Sequence, residues 1–327
     1  MQTTSYRSLF WPMLLIGVGL IWFLGNMNVI QNFNPVALLS LWPLLLIALG
    51  VDLLVGRKSP WVGLLIGLLT IGAAVAILLA APALVPAGAF TSERFTEPLG
   101  EARSAAVRIE TASQPVNLHA LTDSSDLVDA RLDHTGTILF QASGTAEKQV
   151  TLRHDGGPNE WFGLSSGLLN PRWDIGLSPR LPLALEVHGA SGSLKLELAG
   201  LQLSSLKLDG GSGSLDVTLP VGEKAYTVDY QGASGSLSMG LPANTDLSVR
   251  LDGGSGSLTL SLPANAPVRI EVNDNGSGSF NAPAWAARLS GKNNEDKGVW
   301  ESSGYASAAH KILIVVSDVG SGSITIR

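Results

Sequence analysis

Few residues in this chain have the types and spacing that chemistry needs. Gly163-Leu164-Ser165-Ser166-Gly167 follows the Gly-x-Ser-x-Gly pattern, in which a tight turn presents a serine hydroxyl to a histidine base. That turn works between a strand and a helix, and no helix is predicted on either side of it. The five histidines, His119, His134, His154, His188 and His310, stand singly, with none of the close spacing that lets two imidazoles hold one metal ion. Ser290-Gly291-Lys292 runs into Asn293 rather than Ser or Thr, so it is not a phosphate loop. Asp209-Gly210-Gly211 and Asp252-Gly253-Gly254 have the composition of calcium-binding turns but not their nine-residue period. Asn275-Gly276-Ser277 fits a glycosylation sequon, a short pattern that is common by chance. Cysteine is absent, which rules out disulfides and thiolate metal sites. The sequence therefore predicts a non-enzymatic protein with no cofactor and no metal.

What does recur is a phrase of small residues. It reads Gly189 to Leu194, Gly210 to Leu215, Gly232 to Leu237 and Gly253 to Leu258, with weaker copies at Asn275 to Phe280 and Val319 to Ile324. The first serines, Ser191, Ser212, Ser234, Ser255, Ser277 and Ser321, are spaced by 21, 22, 21, 22 and 44 residues, so the last step reads as two periods. Between the phrases apolar residues alternate with polar ones, as in Leu215-Val217-Leu219 and Leu258-Leu260-Leu262, which marks half-buried strands. A period of that length is the signature of stacked repeats. At about 3.3 Å per extended residue each repeat can make one turn of a β-solenoid with two or three short sides. The corner positions are then Gly192, Ser193, Gly213, Ser214, Gly235, Ser236, Gly256, Ser257, Gly278 and Gly322. Glycine is expected there for its access to positive φ, and serine because it stacks without crowding. Regular coils begin near residue 181, and about six fit before the end. The same spacing also suits an antiparallel meander wrapped into a sandwich.

Composition divides the chain near residue 90. Residues 1–90 carry only Arg7, Asp52, Arg57 and Lys58 as charges, leaving 18 basic and 26 acidic residues beyond them. That acidic balance argues against nucleic acid as a partner. Three apolar stretches, Leu9 to Leu24, Val36 to Val55 and Trp61 to about Val85, predict a three-span membrane domain over 1–88, followed by a β-solenoid domain over 89–327. Trp11-Pro12-Met13-Leu14-Leu15-Ile16 and Trp42-Pro43-Leu44-Leu45-Leu46-Ile47 repeat each other at an offset of 31 residues. Tryptophan suits the membrane interface, and Gly19 and Gly50 are expected to let helices approach closely. Asp52 reads as an interfacial acid beside Arg57 and Lys58. Arg7 and the Arg57-Lys58 loop lie on one side of the three spans. By the positive-inside rule the N-terminus is cytoplasmic and the β-domain extracytoplasmic.

Alternation is fainter over 91–160, which reads as opening coils made irregular by the need to cap an end. Residues 155–180 read as a surface loop, with Trp161, Phe162 and Trp173 as the candidate interaction surface, although capping the core would employ the same residues. Gly291 to Ser307 reads as an insertion filling the slot where the serine phrase is missing.

Taken together, the paired Trp-Pro spans resemble the LiaI/LiaF-type transmembrane region. The stretch Trp173-Asp174-Ile175-Gly176-Leu177, then Leu181-Pro182-Leu183, the Gly-Ser coils, Trp300 with Tyr305, and the closing Gly322-Ser323-Ile324 resemble the toast-rack β-domain found with it. The resemblance implies a multi-pass bacterial cell-envelope protein. Relatives regulate membrane histidine kinases during envelope stress or are candidate adhesins, and the family offers no catalytic motif. The implied role is an envelope stress sensor or regulator, with the lipid bilayer and a histidine kinase or other envelope protein as partners. The alternative is a structural or adhesive module acting through self-association as a homo-oligomer.

Overall fold

A computed structural model describes residues 9–26, 42–54, 60–84, 91–134, 136–155, 172–264, 266–274, 276–291 and 296–327. The chain forms two compact units, one holding the helices and the other the strands.

The helices are α1 (Phe10–Asn26), α2 (Trp42–Leu54) and α3 (Pro60–Leu84). Residues 36–41 and 55–59, parts of the expected second span and its basic loop, lie outside the described residues. Among the described residues no helix is long and apolar enough to cross a membrane. Helix α1 packs on α3 at two glycines. A Cβ at Gly17 would overlap Ile71, and one at Gly67 would come within 3.1 Å of Met13. The expected contact glycines, Gly19 and Gly50, have open space around them instead. The motif's Met13 and Leu14 lie at the helix contacts, whereas the glycines that follow it do not. Asp52 is 5% exposed, and the Thr70 hydroxyl is satisfied by the Ile66 carbonyl at 2.7 Å, one turn back.

The second unit is two sheets of 11 and 10 strands face to face, with parallel pairs throughout the middle and antiparallel pairs at the ends. Each turn of chain lays one strand in the larger sheet and the next in the smaller. Four consecutive turns set the pattern: β8 (Pro182–His188) with β9 (Leu194–Glu197), β10 (Gln202–Asp209) with β11 (Ser214–Thr218), β12 (Tyr226–Gln231) with β13 (Ser236–Gly240), and β14 (Leu247–Asp252) with β15 (Ser257–Ser261). The parallel pairing excludes the antiparallel meander, and each solenoid turn has two sides. Alternate residues point inward, so Leu196, Val217, Met239 and Leu260 stack in one line of the core with no exposure. Each buried side chain of this size contributes about 1.5–3 kcal/mol, too little for one turn to fold alone but enough for a stack.

At both ends the order of turns departs from the order of the chain. The turn β20 (Ile312–Asp318) with β21 (Ser323–Ile326) does not follow two periods after the others. It slides between β14/β15 and the earlier turn β16 (Val268–Val272) with β17 (Ser279–Asn281). The insertion expected over 291–307 therefore fills no slot in the stack: β16/β17 and β20/β21 are direct neighbours, and β18 (Ala286–Ser290) and β19 (Gly298–Ser302) come between them only in the sequence. At the other end β2 (Ser104–Glu110) with β3 (Val116–Ala120) lies between β8/β9 and the later turn β6 (Glu147–Asp155) with β7 (Trp173–Leu177). Six turns lie between residues 182 and 326, the number the spacing predicts, and β2/β3 with β6/β7 bring the stack to eight.

Antiparallel strands finish each end. On β6 lies β5 (Thr137–Ser143), and on β7 lies β4 (Asp126–His134) followed by β1 (Thr91–Pro98). On β16 lies β19 (Gly298–Ser302) followed by β18 (Ala286–Ser290). Each end is closed by an aromatic pair drawn from both sheets: Phe95 with Phe140 at 5.4 Å between centroids, and Phe280 with Trp300 at 5.1 Å. Lys148 is paired with Glu97 and the Pro98 carbonyl beneath the first of these caps. The backbone N–H of Phe280, on the edge strand β17, is taken by Asp296 at 3.0 Å, which shields a donor that would otherwise invite another strand.

Candidate functional site

Two features of the β-domain's surface are built by the repeat itself, and the first is the line of Gly-Ser corners. A Cβ at Gly213 would overlap the Gly192 carbonyl oxygen. The same holds for Gly235 on Gly213, Gly256 on Gly235, Gly322 on Gly256 and Gly278 on Gly322, while Gly192 meets Gln114. None of these six glycines has positive φ; in the phrases that angle appears only at Gly276 and Gly320. The corner glycines are therefore required by the close approach of stacked backbones, not by the unusual dihedral that their type suggested. The amides of Ser212 and Ser255 donate to Ala190 and Ala233 at 2.8 Å, and those of Ser321 and Ser277 to Gly254 and Gly320 at 3.0 Å. The serine side chains face outward and line an open groove of about 630 Å³ with Ser212, Ser214, Ser234, Ser236, Ser255 and Ser257 along it. Its lining holds hydroxyls and backbone but no acid, base or imidazole, so it can hydrogen-bond a polar partner and has nothing to move a proton.

The second feature is a charge ladder on the outer face of the 11-stranded sheet. Register aligns Arg108, Glu186, Lys207, Asp229 and Arg250 across five successive strands, alternating in sign. Glu186 accepts from Lys207 at 2.9 Å and lies 3.5 Å from Arg108, while Asp229 lies 3.3 Å from Arg250. The Lys207 ammonium, then the Arg108 guanidinium, hold the Glu186 carboxyl below its ordinary value against the opposing effect of burial. Two residues along, the neighbouring row reads Glu110, His188, Asp209, Gln231, Asp252 and Asp318. His188 sits between carboxylates, with Nε2 3.0 Å from Glu186 and Nδ1 2.7 Å from Asp209. Sequence reasoning treated His188 as solitary. The missed signal is the period itself, because Asp209 follows His188 by the 21 residues that bring strands into register.

The expected interaction surface fares differently. Trp173 is 1% exposed and belongs to the core on β7, its ring edge-on to His154, because the supposed surface loop becomes a strand from residue 173 onward. Trp161, Phe162 and the Gly163 to Gly167 motif lie outside the described residues. His119 and His310 each approach one carboxylate, Asp174 at 3.5 Å and Asp246 at 3.4 Å.

The class of protein this defines is a helical segment joined to a β-solenoid-like domain. Residues 9–54 match the LiaI-LiaF-like transmembrane region, and residues 88–239 match the N-terminal domain of toast_rack. The chain joins a LiaI-LiaF-like transmembrane region to a toast-rack β-domain, as the sequence resemblance implied. No curated protein matches it. Among solved structures it is similar to a candidate cell adhesion protein from Clostridium sporogenes, at 15% identity over 72% of this chain and 99% of that one, with a TM-score of 0.45. It is also similar to candidate adhesins from Bacteroides fragilis (10% identity, 74% and 99% covered, TM-score 0.27) and Parabacteroides merdae (8% identity, 74% and 97% covered, TM-score 0.24). At these TM-scores the likenesses carry no inference about this chain.

Proposed function

We propose that this is a non-enzymatic, multi-pass envelope protein whose β-domain stands outside the cytoplasmic membrane, binds an envelope component, and passes the bound state to a partner through the helices. The observation that carries this reading is the pairing of a LiaI-LiaF-like transmembrane region with a rigid stack whose exposed features are hydroxyls and paired charges. The helices add support. They expose Leu15, Ile16, Leu46, Ile47, Leu65 and Leu69, each more than half accessible, a burden that lipid removes and water does not. The three positive charges flanking the expected spans support the orientation by the positive-inside rule. A membrane histidine kinase is the partner class that the family resemblance suggests. Self-association through sheet edges is the weaker reading, because each end of the stack is closed by an aromatic pair and the Phe280 edge amide is already taken.

Sidedness is the test. The chain has no cysteine, so Thr145→Cys and Ser303→Cys, both at exposed positions of the β-domain, report without background. Labelling of both by a membrane-impermeant maleimide on intact cells is expected. Protection in intact cells with labelling after lysis would place the β-domain in the cytoplasm and end the proposal.

A further inference from the structure

We propose that Glu186, His188 and Asp209 form a binding site for a first-row transition dication, Zn²⁺ being the best match, on the outer face of the 11-stranded sheet. One donor atom from each residue lies within 4.8 Å of the other two. The scaffold fixes them: His188 and Asp209 are register partners on adjacent parallel strands, and Glu186 lies two residues before His188 on the same face. Both strands are paired on both sides, so the ligands are held by the sheet rather than by loops.

The donor set is one imidazole and two carboxylates. Zinc accepts that set with a fourth position left to water, whereas calcium calls for six to eight oxygens. Asp209 Oδ1 is buried without a hydrogen-bond partner, an acceptor that a bound cation would satisfy. His188 faces Glu186 through Nε2 and Asp209 through Nδ1, so a turn of its ring brings one nitrogen to an ion shared with both acids. A dication would add positive charge beside Asp209, Asp252 and Asp318, in a row where Glu110 is already paired with Arg108 at 2.8 Å. The opposing forces are Lys207, which shares Glu186 Oε1 with His188, and Arg108 at Glu186 Oε2. Binding therefore displaces Lys207 from Oε1 while Arg108 keeps Oε2. The ion staples β8 to β10 and presents its open position to solvent.

The test is calorimetric titration of the full-length protein in detergent with ZnCl₂, with CoCl₂ absorbance to report the ligand field. One ion per chain is expected. His188→Ala and Asp209→Asn should each weaken binding by about 10–100-fold, and Lys207→Met, by removing the competing ammonium, should tighten it. Because protons compete with a metal ion for ligands of this kind, affinity should fall as pH is lowered. Circular dichroism checks that each variant is folded; if His188→Ala is not, Asp209→Asn and Lys207→Met decide. Absence of saturable binding, zinc binding unchanged by Asp209→Asn and Lys207→Met, or equal affinity for Ca²⁺ would overturn the proposal.

Discussion

The middle of the β-domain and its two ends are made of the same strands but assembled by different rules. From β8 to β15 each turn stacks on the one before it, and chain order is stack order. At each end a turn is inserted between two others, β2/β3 inside β6/β7 and β20/β21 inside β16/β17, and antiparallel strands close what is left. A repeat supplies neighbours without limit and has no means of stopping. The ends supply the stop: insertion ties each terminal turn to segments distant in sequence, and the aromatic pairs seal the core. The middle is held by stacked inward side chains and closely approaching backbones, and the ends are closed by aromatic pairs and antiparallel strands.

The sharpest break of this contrast is Gly256→Val, which forces a branched side chain into the Gly235 carbonyl; a loss of about 3 kcal/mol or more is expected, read by denaturant unfolding. By comparison Gly240→Ala, whose new Cβ would lie 3.9 Å from its nearest neighbour, should change stability by about 0.5 kcal/mol or less. At the C-terminal end Trp300→Ala, which removes the partner of Phe280, should cost about 3 kcal/mol, with hydrogen exchange rising in β16 to β19 and not in β10 to β13. Asp296→Ala frees the Phe280 amide at a cost of about 1–2 kcal/mol and should raise concentration-dependent association, measured by sedimentation.

A smaller effect than that of either cap substitution at the C-terminal end belongs to the N-terminal cap. Asp129 accepts two hydrogen bonds from Arg94 at 2.7 Å, which hold its carboxyl below the ordinary value. A depressed carboxylate contributes stability above its unfolded pKa and loses it as pH falls through the folded one. The difference in unfolding free energy between the wild type and Asp129→Asn, about 0.5–1 kcal/mol near neutrality by urea unfolding, should therefore vanish in acid.

Much of this was legible in the residues. Alternation between residues 181 and 262 gave the strands and their inward faces, and the serine phrase gave the corners and the period. Three things were hidden, each for a physical reason. The inserted turn was invisible because Ser257, Ser279 and Ser323 offer the same small side chain and the same backbone to any neighbour, so the phrase says that a turn stacks but not on what. The role of the corner glycines was misjudged because positive φ and close approach select the same residue. Trp173 looked like surface because it follows a loop, yet Trp173-Asp174-Ile175-Gly176-Leu177 carries its own inward set. In the charged cluster, Glu186 and His188 were visible as neighbours, while Asp209 joined them only through register.

Chain order against stack order can be tested by cross-linking, since the native protein has no cysteine to confuse the result. Ser279 and Ser323 are paired on adjacent strands, whereas Ser257 and Ser279 are each paired with Ser323 from opposite sides. Adjacent strands lie about 4.8 Å apart, within reach of a disulfide, and strands two apart lie at about twice that, beyond it. Under mild oxidation the Ser279→Cys/Ser323→Cys variant should form an intramolecular disulfide in high yield and the Ser257→Cys/Ser279→Cys variant should not. A disulfide in the Ser257→Cys/Ser279→Cys variant would mean that β17 stacks directly on β15 in chain order, and the account of how this repeat ends would be wrong.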